Sequence, residues 1–154
     1  MILGVRAETI AIVDFKRAAR LFQLAGWTWL GLPGQFSTRR VQLRGTPPRE
    51  CRLRVTRVQT LKQALVCTIQ LESPERAPGS PLIRGDLTLA PAPNGNAASR
   101  SVLSFHGLTA RNLADAAGPA SADASRHLAN AYARSLLEQV AGGLERDGAK
   151  LSIL

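Results

Sequence analysis

Cysteine and histidine are nearly missing from this chain, with two of each in 154 residues. Cys51 and Cys67 form no CxxC pair and show no disulfide-framework spacing, which favours a reducing compartment and hence the cytoplasm. The four residues fall at no metal-ligand spacing, so no metal site is expected. Acidic side chains are also scarce, 11 against 20 basic ones, leaving a net charge of +9. Only Lys16, Lys62 and Lys150 are lysine, so the basic side chains are overwhelmingly arginine. This excess fits an anionic partner such as an acidic protein, a phospholipid surface or RNA, but it also arises from arginine-rich composition alone. Long apolar runs are absent. Residues 21–32 form an interrupted stretch, short of the roughly 20 residues that span a bilayer, and no signal-like segment opens the chain. There is no P-loop, no GxGxxG after a strand, no GxSxG and no HExxH, so neither a nucleotide cofactor nor a standard hydrolase is expected. Zinc-finger spacing, RNP-type aromatics and a KH-like GxxG loop are missing too, which argues against a specific nucleic-acid reader.

What is present suffices for one globular domain over residues 1–154, with 45% hydrophobic and 20% charged residues. Val5, Ala7, Thr9, Ala11 and Val13 alternate with Arg6, Glu8, Ile10 and Ile12, which predicts a strand over 3–13. Asp14 suits a helix N-cap, and Phe15, Ala18, Ala19 and Phe22 mark one helical face. Gly26 is expected to end that helix, leaving Trp27 to Gly34 as an apolar loop or short turn. From Phe36 to Ala110 the period is two, with strands over 36–44, 50–59, 63–72, 82–90 and 99–110. Gly45 to Pro48 reads as a turn, 73–81 as a loop, and Asn94-Gly95 as a hairpin turn. Residues 111–123 read as a connector. A long helix over about 124–146 then shows Tyr132, Ala133, Leu136, Leu137, Val140 and Leu144 on one face, with Gly142-Gly143 weakening its end.

Strand, helix, a run of antiparallel strands and a long helix resemble the helix-grip fold of the START/Bet v 1/polyketide-cyclase (SRPBCC) superfamily. The cues are the strand ending near Val13, the helix from Asp14 with Phe22 followed by Trp27 and Trp29, the hairpin at Asn94-Gly95, and the helix from Arg126 to Glu145. The resemblance implies an α+β fold in which a curved antiparallel sheet of six or seven strands wraps a long C-terminal helix. It also implies a cavity between sheet and helix that takes an apolar ligand such as a lipid, isoprenoid or polyketide.

Three functions are compatible with these residues. A non-catalytic carrier would line its cavity with Trp27, Trp29, Leu87, Phe105, Tyr132 and Leu136, with His106 as a polar anchor. The competing reading of the tryptophans and nearby Phe36 is ordinary core. An interaction module would use Arg40, Arg44, Arg52 and Arg54, which a hairpin would crowd on one face, to meet an acidic protein, an anionic membrane or RNA. The competing reading is a solvated outer face. A cyclase or aromatase would need His106 or Tyr132 in acid–base roles, and this reading is the weakest because no paired catalytic groups are visible. Glu8 and Asp86 are expected to pair with arginines such as Arg84. Cys67 is expected opposite residue 54 or 55, too far from Cys51 for a disulfide.

Overall fold

In a computed structural model, the described residues are 2–30, 36–41, 49–61, 63–72, 82–93, 99–110 and 119–151. Strand β1 (Ile2–Ala11) leads into helix α1 (Phe15–Leu30). Strands β2 (Phe36–Val41), β3 (Arg49–Leu61), β4 (Ala64–Glu72), β5 (Leu82–Pro91) and β6 (Ser101–Ala110) follow, and helix α2 (Pro119–Leu151) comes last. Among the described residues every pairing is antiparallel and the strands order as β1-β6-β5-β4-β3-β2, so the sheet is not closed and β1 and β2 are its edges there.

The alternation read from the sequence decides which face is buried. Cys51, Leu53 and Val55 on β3, Leu65, Cys67, Ile69 and Leu71 on β4, Ile83, Leu87 and Leu89 on β5, and Leu103 and Phe105 on β6 all point inward and are buried. The expected face of α2 closes over them. Tyr132, Ala133, Leu136, Leu137, Val140 and Leu144 join the same apolar cluster, as do Ala18, Leu21 and Phe22 of α1. Burial of this continuous apolar surface is the main force holding the layers together.

Three hydrogen bonds fix how the helix meets the sheet. At edge β1, the Arg6 amide donates to Asn130 Oδ1 and the Ile12 amide, just past the strand, donates to Glu145 Oε1, both at 2.9 Å. At the opposite edge, Gln139 Nε2 donates to the Arg40 carbonyl of β2 at 2.6 Å. A flat sheet of this order would hold its edge strands roughly 24 Å apart, while a helix with side chains is only about 10 Å across. One helix reaches both edges because the sheet is curved. The spacing along β1 also matches. Fifteen helical residues rise about 22 Å and six strand residues about 20 Å, so α2 runs parallel to β1 with a polar residue at each end of the contact.

Two local devices help the sheet curve. The β3–β4 register shifts between Val55 and Arg57, a bulge that bends the strand, and the Thr56 hydroxyl donates to the Thr68 carbonyl at 3.2 Å. Gly85 and Gly107 lie directly opposite each other on β5 and β6. A Cβ at either glycine would come within 2.8 Å of the Phe105 ring and would also press on the facing backbone. The ring therefore fills the space that two side chains would otherwise occupy, at a position where the strands approach closely.

The Asp14 cap is present. Asp14 Oδ2 accepts from the Arg17 amide at 3.0 Å, and the Ala18 amide bonds the Asp14 carbonyl at 2.9 Å. Ser101, fully buried, donates its hydroxyl to the Val13 carbonyl at 2.8 Å and ties the β1–α1 corner to the start of β6.

Several sequence expectations need correction. Helix α1 passes through Gly26 to Leu30, because one interior glycine costs only about 1 kcal/mol and no strong breaker precedes Gly31 and Pro33. Helix α2 starts at Pro119, a residue suited to a first helical turn, and continues through Gly142-Gly143 to Leu151. Cys67 faces Val58, because the β3–β4 hairpin turns tightly between Leu61 and Ala64. That residue lies seven positions from Cys51, roughly 23 Å along the strand, so the two cysteines do not form a disulfide with each other. The turn at 45–48, the loop at 73–81, Asn94-Gly95, residues 42–44 of the expected second strand and residues 111–118 of the connector lie outside the described residues. Among the described residues no helix is long and apolar enough to cross a membrane.

Candidate functional site

The sheet's alternation separates the proposed site residues into two groups. Leu87, Phe105, Tyr132 and Leu136 meet in the interior, each at 2% exposure or less. His106 does not join them. It follows Phe105 on β6, points to the outer face and is exposed. It therefore cannot anchor a ligand beside Phe105, nor share an acid–base task with buried Tyr132. The side chains of Trp27, Trp29 and Phe36 lie outside the described residues.

The interior is apolar but contains one ionisable thiol of note. Burial pushes the Cys67 thiol up to about 12, and the nearby Asp86 carboxylate adds to the shift. Cys67 is thus a neutral apolar wall rather than a nucleophile, because only the thiolate is reactive.

The register rearranges the arginine surface. Arg40, Arg52 and Arg54 do share the outer face, but no two of them are opposite each other. Arg40 faces Glu50, Arg52 faces Thr38 on one side and Glu72 on the other, and Arg54 lies between Phe36 and Gln70. Arg52 Nη1 approaches Glu72 Oε1 at 3.5 Å. Arg52 and Arg54 are same-face neighbours along β3, but the cross-strand positions opposite the three arginines are neutral or acidic. Arg44 lies outside the described residues. Asp86 accepts from the Thr68 hydroxyl at 2.7 Å rather than pairing with Arg84, whose cross-strand neighbours are Gln70 and Leu108.

A separate polar groove lies along edge β1, which sequence reading did not single out. It has a volume of about 520 Å³ and is lined by Arg6, Ala7 and Glu8 from the strand and His127, Asn130, Ala131 and Arg134 from α2. An edge strand has no neighbour on one side, so residues of both parities reach the groove. On the helix, positions 127, 130, 131 and 134 form one stripe at the spacing that faces a single neighbour. The Arg6–Asn130 hydrogen bond closes its floor. Ala7 and Ala131 are partly buried and pack against the core cluster. The signal for this groove was the border of the helical wheel: Asn130 and Glu145 flank the apolar face at a separation equal to six strand residues. Among the described residues no cluster of His, Cys, Asp and Glu is arranged to hold a metal ion.

No family model matches the chain, and no curated protein matches it. Solved structures do resemble its path. The hypothetical protein jhp0584 from Helicobacter pylori is 10% identical, with 91% of this chain and 86% of that one covered at a TM-score of 0.47. Ara h 8.0201 is 11% identical over 94% of this chain and 98% of its own, at 0.45. The ZhuI aromatase/cyclase from Streptomyces sp. R1128 is 12% identical over 95% of each chain, at 0.40. These likenesses concern the course of the backbone, and nothing about ligand or activity follows from them.

Proposed function

We propose that this protein binds an apolar small molecule between the inner face of the sheet and α2, as a carrier or sensor rather than a catalyst. The observation that carries this reading is the clasp. One helix, hydrogen-bonded to both edges of an open sheet, closes over a continuous apolar face. Leu87, Phe105, Tyr132 and Leu136 are the walls in this reading, and Trp27 and Trp29, on the last turns of α1, would stand at the mouth. Binding sites for such ligands are apolar, with a few placed polar groups. The same reading puts the chain in the reducing cytoplasm, where both thiols persist.

The interaction-module reading has less support, because Glu50 and Glu72 interrupt the arginine face. The cyclase reading keeps only one of its two candidate acid–base residues in the interior, Tyr132, because His106 lies on the outer face of the sheet.

The test is native mass spectrometry of gently purified protein against its denatured mass, together with titration of the neutral fluorophore Nile red. A bound apolar species, or saturable Nile red binding that weakens in Leu136→Trp, supports the reading. A clean apo mass with no saturable binding overturns it.

A further inference from the structure

The groove along β1 combines two chemistries on adjacent surfaces. Its rim carries Arg6, Arg134 and Glu8, and its floor is Ala7 and Ala131, which back directly onto the core. Arg6 binds Asn130 through its backbone amide, so its guanidinium is uncommitted by that contact. Arg134 pairs with Glu138 within its own helix, but at 3.7 Å and with both side chains mostly exposed. A pair of that kind is worth little in water, so an incoming anion displaces it readily. Two guanidiniums against one rim carboxylate leave a single net positive charge. Glu8 disfavours a doubly charged group such as a phosphate monoester dianion and tolerates a singly charged one. A planar carboxylate also matches the forked donor geometry of arginine.

We infer that this groove holds the carboxylate head of an amphiphilic ligand on Arg6 and Arg134, with the ligand's apolar tail passing over Ala7 and Ala131 toward the core. Alanine side chains are small, so this pair puts little bulk between the groove and the core. The inference deepens the carrier reading and rests on it: the ligand is an anionic amphiphile rather than a neutral hydrocarbon. The head lies at the edge of the sheet, on the opposite side from the Arg52–Glu72 pair.

A dansylated undecanoic acid and its methyl ester test this, since they share a tail and differ in charge. The wild-type protein binds the acid at least about tenfold tighter than the ester, the factor expected for charge-assisted hydrogen bonds. In Arg6→Gln/Arg134→Gln that preference disappears while ester affinity is retained. In Arg20→Gln/Arg57→Gln, which removes the same net charge away from the groove, the preference remains. Circular dichroism establishes that each variant is folded before binding is compared. Equal wild-type affinity for acid and ester overturns the head-group assignment and leaves the carrier reading standing. Loss of the preference in both double variants also overturns it, because net charge alone would then explain the effect. Failure of both probes to bind overturns both readings.

Discussion

Cys67 is a residue whose surroundings make a pH-dependent contribution to stability. Its thiol is held neutral in the folded protein up to about 12, from an ordinary value of 9.0. The unfolded chain releases that proton at lower pH, so ionisation favours unfolding. The contribution is complete below pH 9 and is lost as pH rises through about 12. Denaturant titrations across this alkaline window are expected to show a steeper decline for wild type than for Cys67→Ala, which starts less stable but lacks the thiol's slope. An equal slope in the two proteins would remove Cys67 as its source. The same environment makes Cys67 slow toward thiol reagents until the fold opens. Of the residues first considered for a site, those assigned by alternation were the legible ones: Leu87, Phe105, Tyr132 and Leu136 come together because parity and helical period are local properties of the chain. The pairing of Arg52 with Glu72 was not legible, because it depends on a register set jointly by the tight hairpin at the far end of both strands and by the bulge between Val55 and Arg57.

At the scale of elements, glycines in the two kinds of element have opposite roles. Gly142 sits within α2 with nothing beyond its own helix backbone and chain neighbours within 4 Å of where a Cβ would be. Gly142→Ala is therefore expected to stabilise the protein by roughly 0.5–1 kcal/mol, through reduced freedom of the unfolded chain. Gly107 sits in β6 against the Arg84 carbonyl and the Phe105 ring. Gly107→Ala is expected to cost roughly 1–3 kcal/mol, as forced overpacking does, and thermal denaturation of the two variants reads both signs. A destabilised Gly142→Ala or an unaffected Gly107→Ala would contradict this account of the two positions. Element boundaries follow a related logic. Asp14 marks the start of α1 because its cap is made with residues three and four positions on, whereas neither Gly26 nor Gly142-Gly143 ends its helix, because a propensity cost of about 1 kcal/mol per glycine is too small to stop a helix by itself.

For the whole molecule, the carrier reading ties function to stability. A ligand that binds only the folded state stabilises it by about 2.7 kcal/mol at a hundredfold excess over its dissociation constant. For a chain of this length that corresponds to a rise in melting temperature of roughly 5–10 °C. Stripping the ligand by refolding from denaturant and then adding it back is expected to lower and restore the transition by that amount. A transition indifferent to both steps would leave the interior as packing alone. The net charge of +9 bears on this scale as well. It speeds encounter with any anion and is screened by salt, so the rate of acid binding should fall with ionic strength more than that of ester binding.

The clasp of α2 on both sheet edges has a further consequence for how copies of this chain meet. An uncovered edge strand offers unpaired amides and carbonyls to the strand of another molecule. A molecule with one such edge acts as a chain stopper: it pairs once and growth ends. Asn130 and Glu145 near β1, with Gln139 at β2, belong to a single helix, so detachment of that helix releases bonded groups on both sides of the sheet together. The opened chain then presents a strand edge on each side, which makes it a bifunctional monomer, able in principle to extend a polymer at either side.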